Sequence, residues 1–245
     1  MRFSDIKGLI RRRLLLNYRV DPAIIQKQLP APFRPKLHGD YSIAGVCLIR
    51  LEQMRPRIAP SILGVSSENA AHRIAVTWED DAGLHDGVYI PRRDTSAWVN
   101  RIAGGRLFPG EHHAATFQVI EQDNHIDFRM QSQDQLVRVE LSGKLTDEIS
   151  TDSCFRSLHN ASKFFETGSV GYSVTTDKQR LDGIRLTTDE WKVEPLSVER
   201  VYSSYFSDSN LFPPGSAVFD CALIMRNVRH AWHSESEIHV NSEVI

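Results

Sequence analysis

The sequence predicts a mostly β, α+β chain: an antiparallel sheet or barrel with a few helices packed outside it. Three observations carry this expectation. There are about ten strand-like runs against about three helical ones, and the two kinds do not alternate, which excludes doubly wound and TIM-type folds. No internal repeat and no Gly/Ser-rich linker divides the 245 residues, so a single domain over 1–245 is expected.

The elements follow in order. Leu14 to Tyr18 reads as a short strand, and Asp21-Pro22 as an N-cap and first helical residue of a helix ended by Pro30-Ala31-Pro32. Tyr41 to Leu51 is β-rich apart from Ala44 and Gly45, and Pro56 to Gly64 is a loop. Ala71 to Trp78 alternates, with Ile74, Val76 and Trp78 on one face and Arg73, Ala75 and Thr77 on the other. Tyr89 and Ile90 are strand residues, and Pro91, which has no N–H to donate, should stop regular pairing. Asp94 and Thr95 then cap a helix over Ser96 to Ala103, stopped by Gly104-Gly105. Ala115 to Ile120, Ile126 to Met130 and Leu136 to Leu145 form a meander through turns at Gln122–Asn124 and Ser132–Asp134. Thr151-Asp152-Ser153 caps a helix through Phe165, and four further strands follow at Val170–Thr175, Ile184–Thr188, Val198–Phe206 and Ala217–Met225.

Composition excludes several classes. A formal net charge of -2 argues against a dedicated nucleic-acid binder. No apolar run approaches membrane-span length, and the leucines after Arg11-Arg12-Arg13 are too few for a signal h-region. Cys47, Cys154 and Cys221 are an odd, widely spaced set in apolar settings, which suits buried thiols in a cytoplasmic protein. Basic charge is carried by 22 arginines and only 7 lysines, which leaves few candidates for amine chemistry.

Several motifs are absent: G-x-S-x-G, a phosphate loop and a dinucleotide fingerprint. His112-His113 opens a strand, so its imidazoles point to opposite faces. His72 shares a face with Ile74 and reads as a hydrogen-bonded core histidine. His230-Ala231-Trp232-His233 has a spacing that some metal sites use, but it lies in a polar tail; no metal and no cofactor are expected.

Arg92 and Arg93 are the most informative pair. An arginine after a strand stays charged and offers a planar fork of donors suited to carboxylate or phosphate, so the pair reads either as an anion clamp or as a solvated turn. Arg19 follows an apolar strand and starts at a barrel rim or interior, and Tyr89 offers a hydroxyl. Glu68 lies among small residues and reads as a general acid or base, or as a partner neutralising an arginine.

These segments carry a resemblance. Tyr18-Arg19-Val20-Asp21 with Leu29-Pro30-Ala31-Pro32-Phe33 resembles the opening of acetoacetate decarboxylase, Ser67-Glu68-Asn69-Ala70 its Thr-Glu-Ala-Gly, and Tyr89-Ile90-Pro91-Arg92-Arg93 its Tyr-Pro-Lys-Lys. Arg50-Leu51-Glu52 to Arg57, Ser67 to Arg73 and Tyr89 to Asp94 more closely resemble the uncharacterised bacterial YqjF-like family of the acetoacetate decarboxylase-like superfamily. The resemblance implies a cone-shaped β-barrel with an interior cavity and flanking helices, assembling as a homo-oligomer. It also implies a chemical departure. Where the decarboxylase forms a Schiff base on the first lysine of its pair, this chain has Arg92, which cannot form an imine.

The expected partner is a small anionic organic molecule, a carboxylate or keto acid, bound by Arg19, Tyr89, Arg92 and Arg93; neither nucleic acid nor membrane is expected. Two alternatives stand beside this binder: an enzyme of non-imine type with Glu68 as acid or base, and a structural protein whose arginines pair with Glu68 or Asp94.

Overall fold

Strands run further than the apolar patterning marks, because polar residues are admitted wherever the pleat turns them toward a partner. The computed structural model describes residues 6–97, 110–176 and 178–240. The first strand, β1, spans Ile6–Val20 and passes through the triple arginine, each member going a different way. Arg11 reaches Asn227 at 2.6 Å, Arg12 turns inward to Glu68, and Arg13 turns to the other face, toward Cys47. A short helix α1, Pro22–Gln26, follows with Asp21 as N-cap, as expected.

Next come β2 (Arg34–Pro35), β3 (Leu37–His38), β4 (Tyr41–Pro56), β5 (Val65–Asp80) and β6 (Gly83–Thr95). The expected meander is present as β7 (His112–Gln122), β8 (His125–Ser132) and β9 (Arg138–Leu145), paired antiparallel in sequence. The chain continues as α2 (Leu158–Glu166), β10 (Val170–Val174), β11 (Arg180–Thr188), β12 (Glu194–Ser203), β13 (Ala217–Ser234) and β14 (Ile238–His239).

Four expectations need correction. The second helix starts at Leu158, capped by the Ser157 hydroxyl, which accepts from Asn160 N; Ser153 instead donates to Asp220. The C-terminal histidines are not in a polar tail but on β13, where His230 is buried. β6 does not end at Pro91: it resumes at Arg92, so Asp94 is a buried strand residue and not a cap. The sheet is also not wholly antiparallel, since β6 pairs in parallel with both β7 and β10. Most of the expected Ser96–Ala103 helix, with its Gly104-Gly105 stop, lies outside the described residues.

The fourteen strands of the described residues belong to one sheet, in the order β14-β11-β10-β6-β7-β8-β9-β12-β13-β1-β4-β5-β2, with β3 on β4. Two more pairings, β5 with β6 and β11 with β13, join strands that are distant along this path. The strands they connect therefore have hydrogen-bonded neighbours along both edges. Leu14 and Leu16 on β1, Val46 and Leu48 on β4, and Ile74 and Val76 on β5 enter one core with Phe128. Leu15, Cys47, Ile49 and Ala75 from the same strands enter a second core with Phe165 of α2. Among the described residues no helix is long and apolar enough to cross a membrane.

Gly45 on β4 lies directly against the β1 backbone. A Cβ there would lie 2.1 Å from the Leu16 carbonyl oxygen, a backbone atom that cannot move aside alone. Gly45→Ala should therefore destabilise by about 1–3 kcal/mol through overpacking, read as a lower urea midpoint with an unchanged m-value.

His72 is fully buried against Tyr205, with ring centroids 4.6 Å apart, and neither ring nitrogen has a hydrogen-bond partner among the described residues. It is a core histidine, as expected, but not a hydrogen-bonded one. Burial, aided by the charge of Arg92, lowers its pKa from 6.5 to about 3. Burial beside Arg13 lowers that of His230 to about 4. Both stay neutral in the fold yet take up a proton in the unfolded chain. The stability they contribute is thus complete above about pH 6.5 and is lost as pH falls toward the folded values. Urea unfolding between about pH 7 and pH 4 should show this loss, and His72→Phe should lower its slope by up to about 1.4 kcal/mol per pH unit.

Candidate functional site

The site is built around a change of neighbour along β6. On one side this strand pairs with β5 throughout, with a register shift between His72 and Ile74. On its other side Val88 and Tyr89 pair with Gly171 and Tyr172 of β10, whereas Arg93 to Thr95 pair with His112 to Ala114 of β7. Pro91 sits at the changeover, where its missing N–H leaves no ladder bond unmade. From here one branch runs through β7, β8, β9 and β12 and the other through β10 and β11, and both return to β13. β12 joins at Ala222–Ile224 and β11 at His230–Ser234.

A cavity of ≈ 90 Å³ lies between the shared strands and the β10–β11 branch. One water needs only about 10–15 Å³ on this measure, so the space suits a small organic molecule. Its apolar walls include Ile49, Val88, Ile90, Ile184, Leu186 and Trp232. Its polar lining comprises Arg13 from β1, Asn69 and Arg73 from β5, Arg93 and Asp94 from β6, His112 from β7 and Ser169, with the Asp94 carboxylate held by Arg92. Ala71 and Arg93 are paired across β5 and β6, which puts Arg93 on the face that also carries Arg73.

The three arginines have no carboxylate partner among the described residues. Arg93 Nε donates to Ser173 Oγ at 3.3 Å, and its buried Nη2 has no acceptor there. Arg73 donates to Asn17 Oδ1 and lies over the Phe165 ring at 4.8 Å, with Nε buried and unpaired. Arg13 Nε donates to Cys47 Sγ at 3.3 Å. Burial lowers the pKa of both Arg73 and Arg93 to about 10, which leaves them charged at neutral pH. Burial and the neighbouring Arg93 lower that of His112 to about 4, so its ring is neutral. An unpaired buried donor carries a penalty of about 1–3 kcal/mol, more for a charged one, and an anion in the cavity would relieve it.

Of the residues expected to form the site, only Arg93 lines this cavity. Arg92 is on the opposite face, with Nε and Nη2 spanning the fully buried Asp94 and Nη2 also reaching Asp134 at 2.8 Å. For Arg92 the geometry is the ion pair with Asp94 that the structural alternative expected. Arg19 is engaged by Asp220 at 3.2 Å and the Asp152 carbonyl at 2.6 Å. Tyr89 packs beside Phe33 in the first core, where burial raises its pKa. Glu68 also points to that side. It accepts from Arg12 at 2.7 Å, and burial raises its pKa against the opposing pull of Arg12. It is a partner of arginine, and its side chain is not part of the cavity that the adjacent Asn69 lines.

Arg13, Arg73, His112 and Cys47 were not among the site residues expected from the sequence. A signal for Arg73 existed: an arginine lies between His72 and Ile74 in a run apolar on both sides, where only a partnered or cavity-facing charge is tolerated. For His112, the expectation that the two adjacent imidazoles diverge holds. His113 faces Asp134 at 3.5 Å, and His112 faces the cavity. Among the described residues no group of three metal-ligating side chains converges.

Comparison with known proteins now bears on this geometry. Acetoacetate decarboxylase from Legionella pneumophila shares 14% identity at a TM-score of 0.59, over 96% of this chain and 88% of that one. An acetoacetate decarboxylase-like enzyme from Sphingomonas wittichii RW1 shares 12% at 0.62, over 98% and 94%. The enduracididine biosynthesis enzyme MppR complexed with pyruvate shares 10% at 0.60, over 97% and 90%. At these identities the likeness is one of fold. No curated protein matches the sequence. The DUF2071 family, described as an uncharacterized conserved protein, matches residues 9–223, and the chain belongs to that family.

Proposed function

We propose that the protein binds a small organic anion, a carboxylate or keto acid, in the cavity between the shared strands and β10–β11. The observation that carries this reading is the set of three guanidinium groups, Arg13, Arg73 and Arg93, that line the cavity beside a mainly apolar wall and have no carboxylate partner among the described residues. A bidentate guanidinium–carboxylate contact fixes orientation as well as charge, and the apolar walls accommodate the organic portion. The similarly folded MppR is seen with pyruvate, which supports a ligand of this class.

Several finer readings accompany this one. The pairings run from β6 through β7, β8, β9, β12, β13, β1, β4 and β5 back to β6, which supports a barrel over a single domain. Three free cysteines suit a reducing compartment such as the cytoplasm. Imine chemistry is not part of the reading, since no described lysine lines the cavity. Lys36 borders an adjoining recess, but its Nζ is held by Asp86 at 2.6 Å and by Thr167 at 2.8 Å. Acid or base work by Glu68 is not supported either, because Glu68 is on the opposite face.

A thermal-shift series with keto acids, hydroxy acids and phosphorylated metabolites tests the proposal. A ligand at a hundredfold excess over Kd should stabilise by about 2.7 kcal/mol. The shift should vanish in Arg93→Ala and persist in Arg92→Ala; equal shifts in wild type and Arg93→Ala would remove Arg93 from the site. Borohydride reduction in the presence of acetoacetate should leave every lysine unmodified, and a reduced adduct on any of them would restore the imine mechanism.

A further inference from the structure

Cys47 has surroundings unlike those of the other two cysteines. It stands on β4 between Leu15 of β1 and Ala71 of β5, on the cavity wall. Its Sγ accepts the hydrogen bond from Arg13 Nε at 3.3 Å, and it is close enough to interact electrostatically with Arg73 and Arg93. Arg73 is only 5% exposed, lines the same cavity and has an unpaired Nε, so the space beside the thiol is prepared for an anion independently of the thiol. Cys154 and Cys221 meet the reverse charge. Cys154 N donates to Asp220 Oδ1 at 2.8 Å, and burial together with Asp220 pushes its thiol up to about 12. Burial and Asp220 push Cys221 up as well.

We propose that Cys47 is a nucleophile toward small anionic carbon electrophiles admitted to the cavity, with α,β-unsaturated carboxylates as the class. The arginines hold the carboxylate while Sγ bonds to the β-carbon. The π pair moves to the α-carbon, which takes up the proton given up by the thiol, and a thioether results. Nothing else is consumed. Cysteines react in electropositive, partly open surroundings, and here the positive charge also selects the electrophile. The proposal rests on the anion-binding reading of the same cavity.

Iodoacetate and iodoacetamide are the probes, differing in charge while sharing one reaction: the S–C bond forms, iodide leaves and the proton passes to buffer. On the folded chain, with peptides read by mass spectrometry, the iodoacetate-to-iodoacetamide rate ratio at Cys47 should exceed that of a free thiol by at least about tenfold. At Cys154 the ratio should fall below it. Fumarate should leave its addition product on Cys47 and not on Cys154. Arg93→Gln should abolish the preference. If that variant does not fold, protection of wild-type Cys47 from iodoacetate by pyruvate, with Cys154 unprotected, tests the same point. A Cys47 that stays unmodified by iodoacetate in the folded protein, or that prefers iodoacetamide, overturns the proposal. Retained keto-acid stabilisation in the thermal-shift series would then confine the failure to the nucleophile, whereas absence of any stabilisation would count against the anion site itself.

Discussion

Four consecutive strands, β13, β1, β4 and β5, contribute side chains to both cores, and that burial constrains the rest of the molecule. Along such strands adjacent residues enter different cores, so a polar side chain cannot simply turn toward solvent. A charged one must meet a partner or a cavity. Arg12 and Arg13 show the two outcomes side by side. Arg12 is neutralised by Glu68 and Glu121 on one face, while Arg13 faces the cavity and a thiol on the other. Arg92 and Arg93 repeat the division three strands further along the sheet, on β6. The pleat thus sorts four arginines into two structural and two cavity-facing ones, with no difference in residue type.

This sorting also explains what could be read from the sequence. Alternation from Ala71 to Trp78 placed Arg73 opposite Ile74 correctly, and the meander from β7 to β9 was legible because its turns are local and polar. Which face held the site was not legible. Deciding between Arg92 and Arg93 requires the register across Pro91, where the two residues Ile90 and Pro91 stand against the single Arg73. The resemblance led to the segment that carries both arginines, with Arg92 at the place of the first lysine, but left open which of them faces inward, because motif position says nothing about which face a bulge selects. The second partner of β6 depends on contacts over eighty residues apart, and no local pattern encodes those.

The comparison with acetoacetate decarboxylase separates architecture from chemistry. Fold likeness extends over nearly the whole of both chains at low identity, so the scaffold tolerates wide replacement of side chains. Lysine at a buried position can lose its proton and become a nucleophile; arginine there remains a cation at neutral pH, as Arg73 and Arg93 do at about 10. A cavity furnished with guanidinium groups is therefore suited to holding charge rather than to forming a bond through nitrogen. If a covalent event occurs, sulfur is the atom placed for it.

The thin attachment of β10 has a kinetic consequence. Among the described residues this strand pairs with β6 through Gly171 and Tyr172 alone, whereas β11 is held to β13 along five residues. Together the two strands form the outer wall of the cavity, so the wall is anchored firmly at one edge and weakly at the other. Local opening is easiest where few backbone bonds must break at once. Ligand exchange would then be governed by how often that edge parts from β6, and the residence time of a bound anion would report on two strand pairings more than on the arginines that hold it.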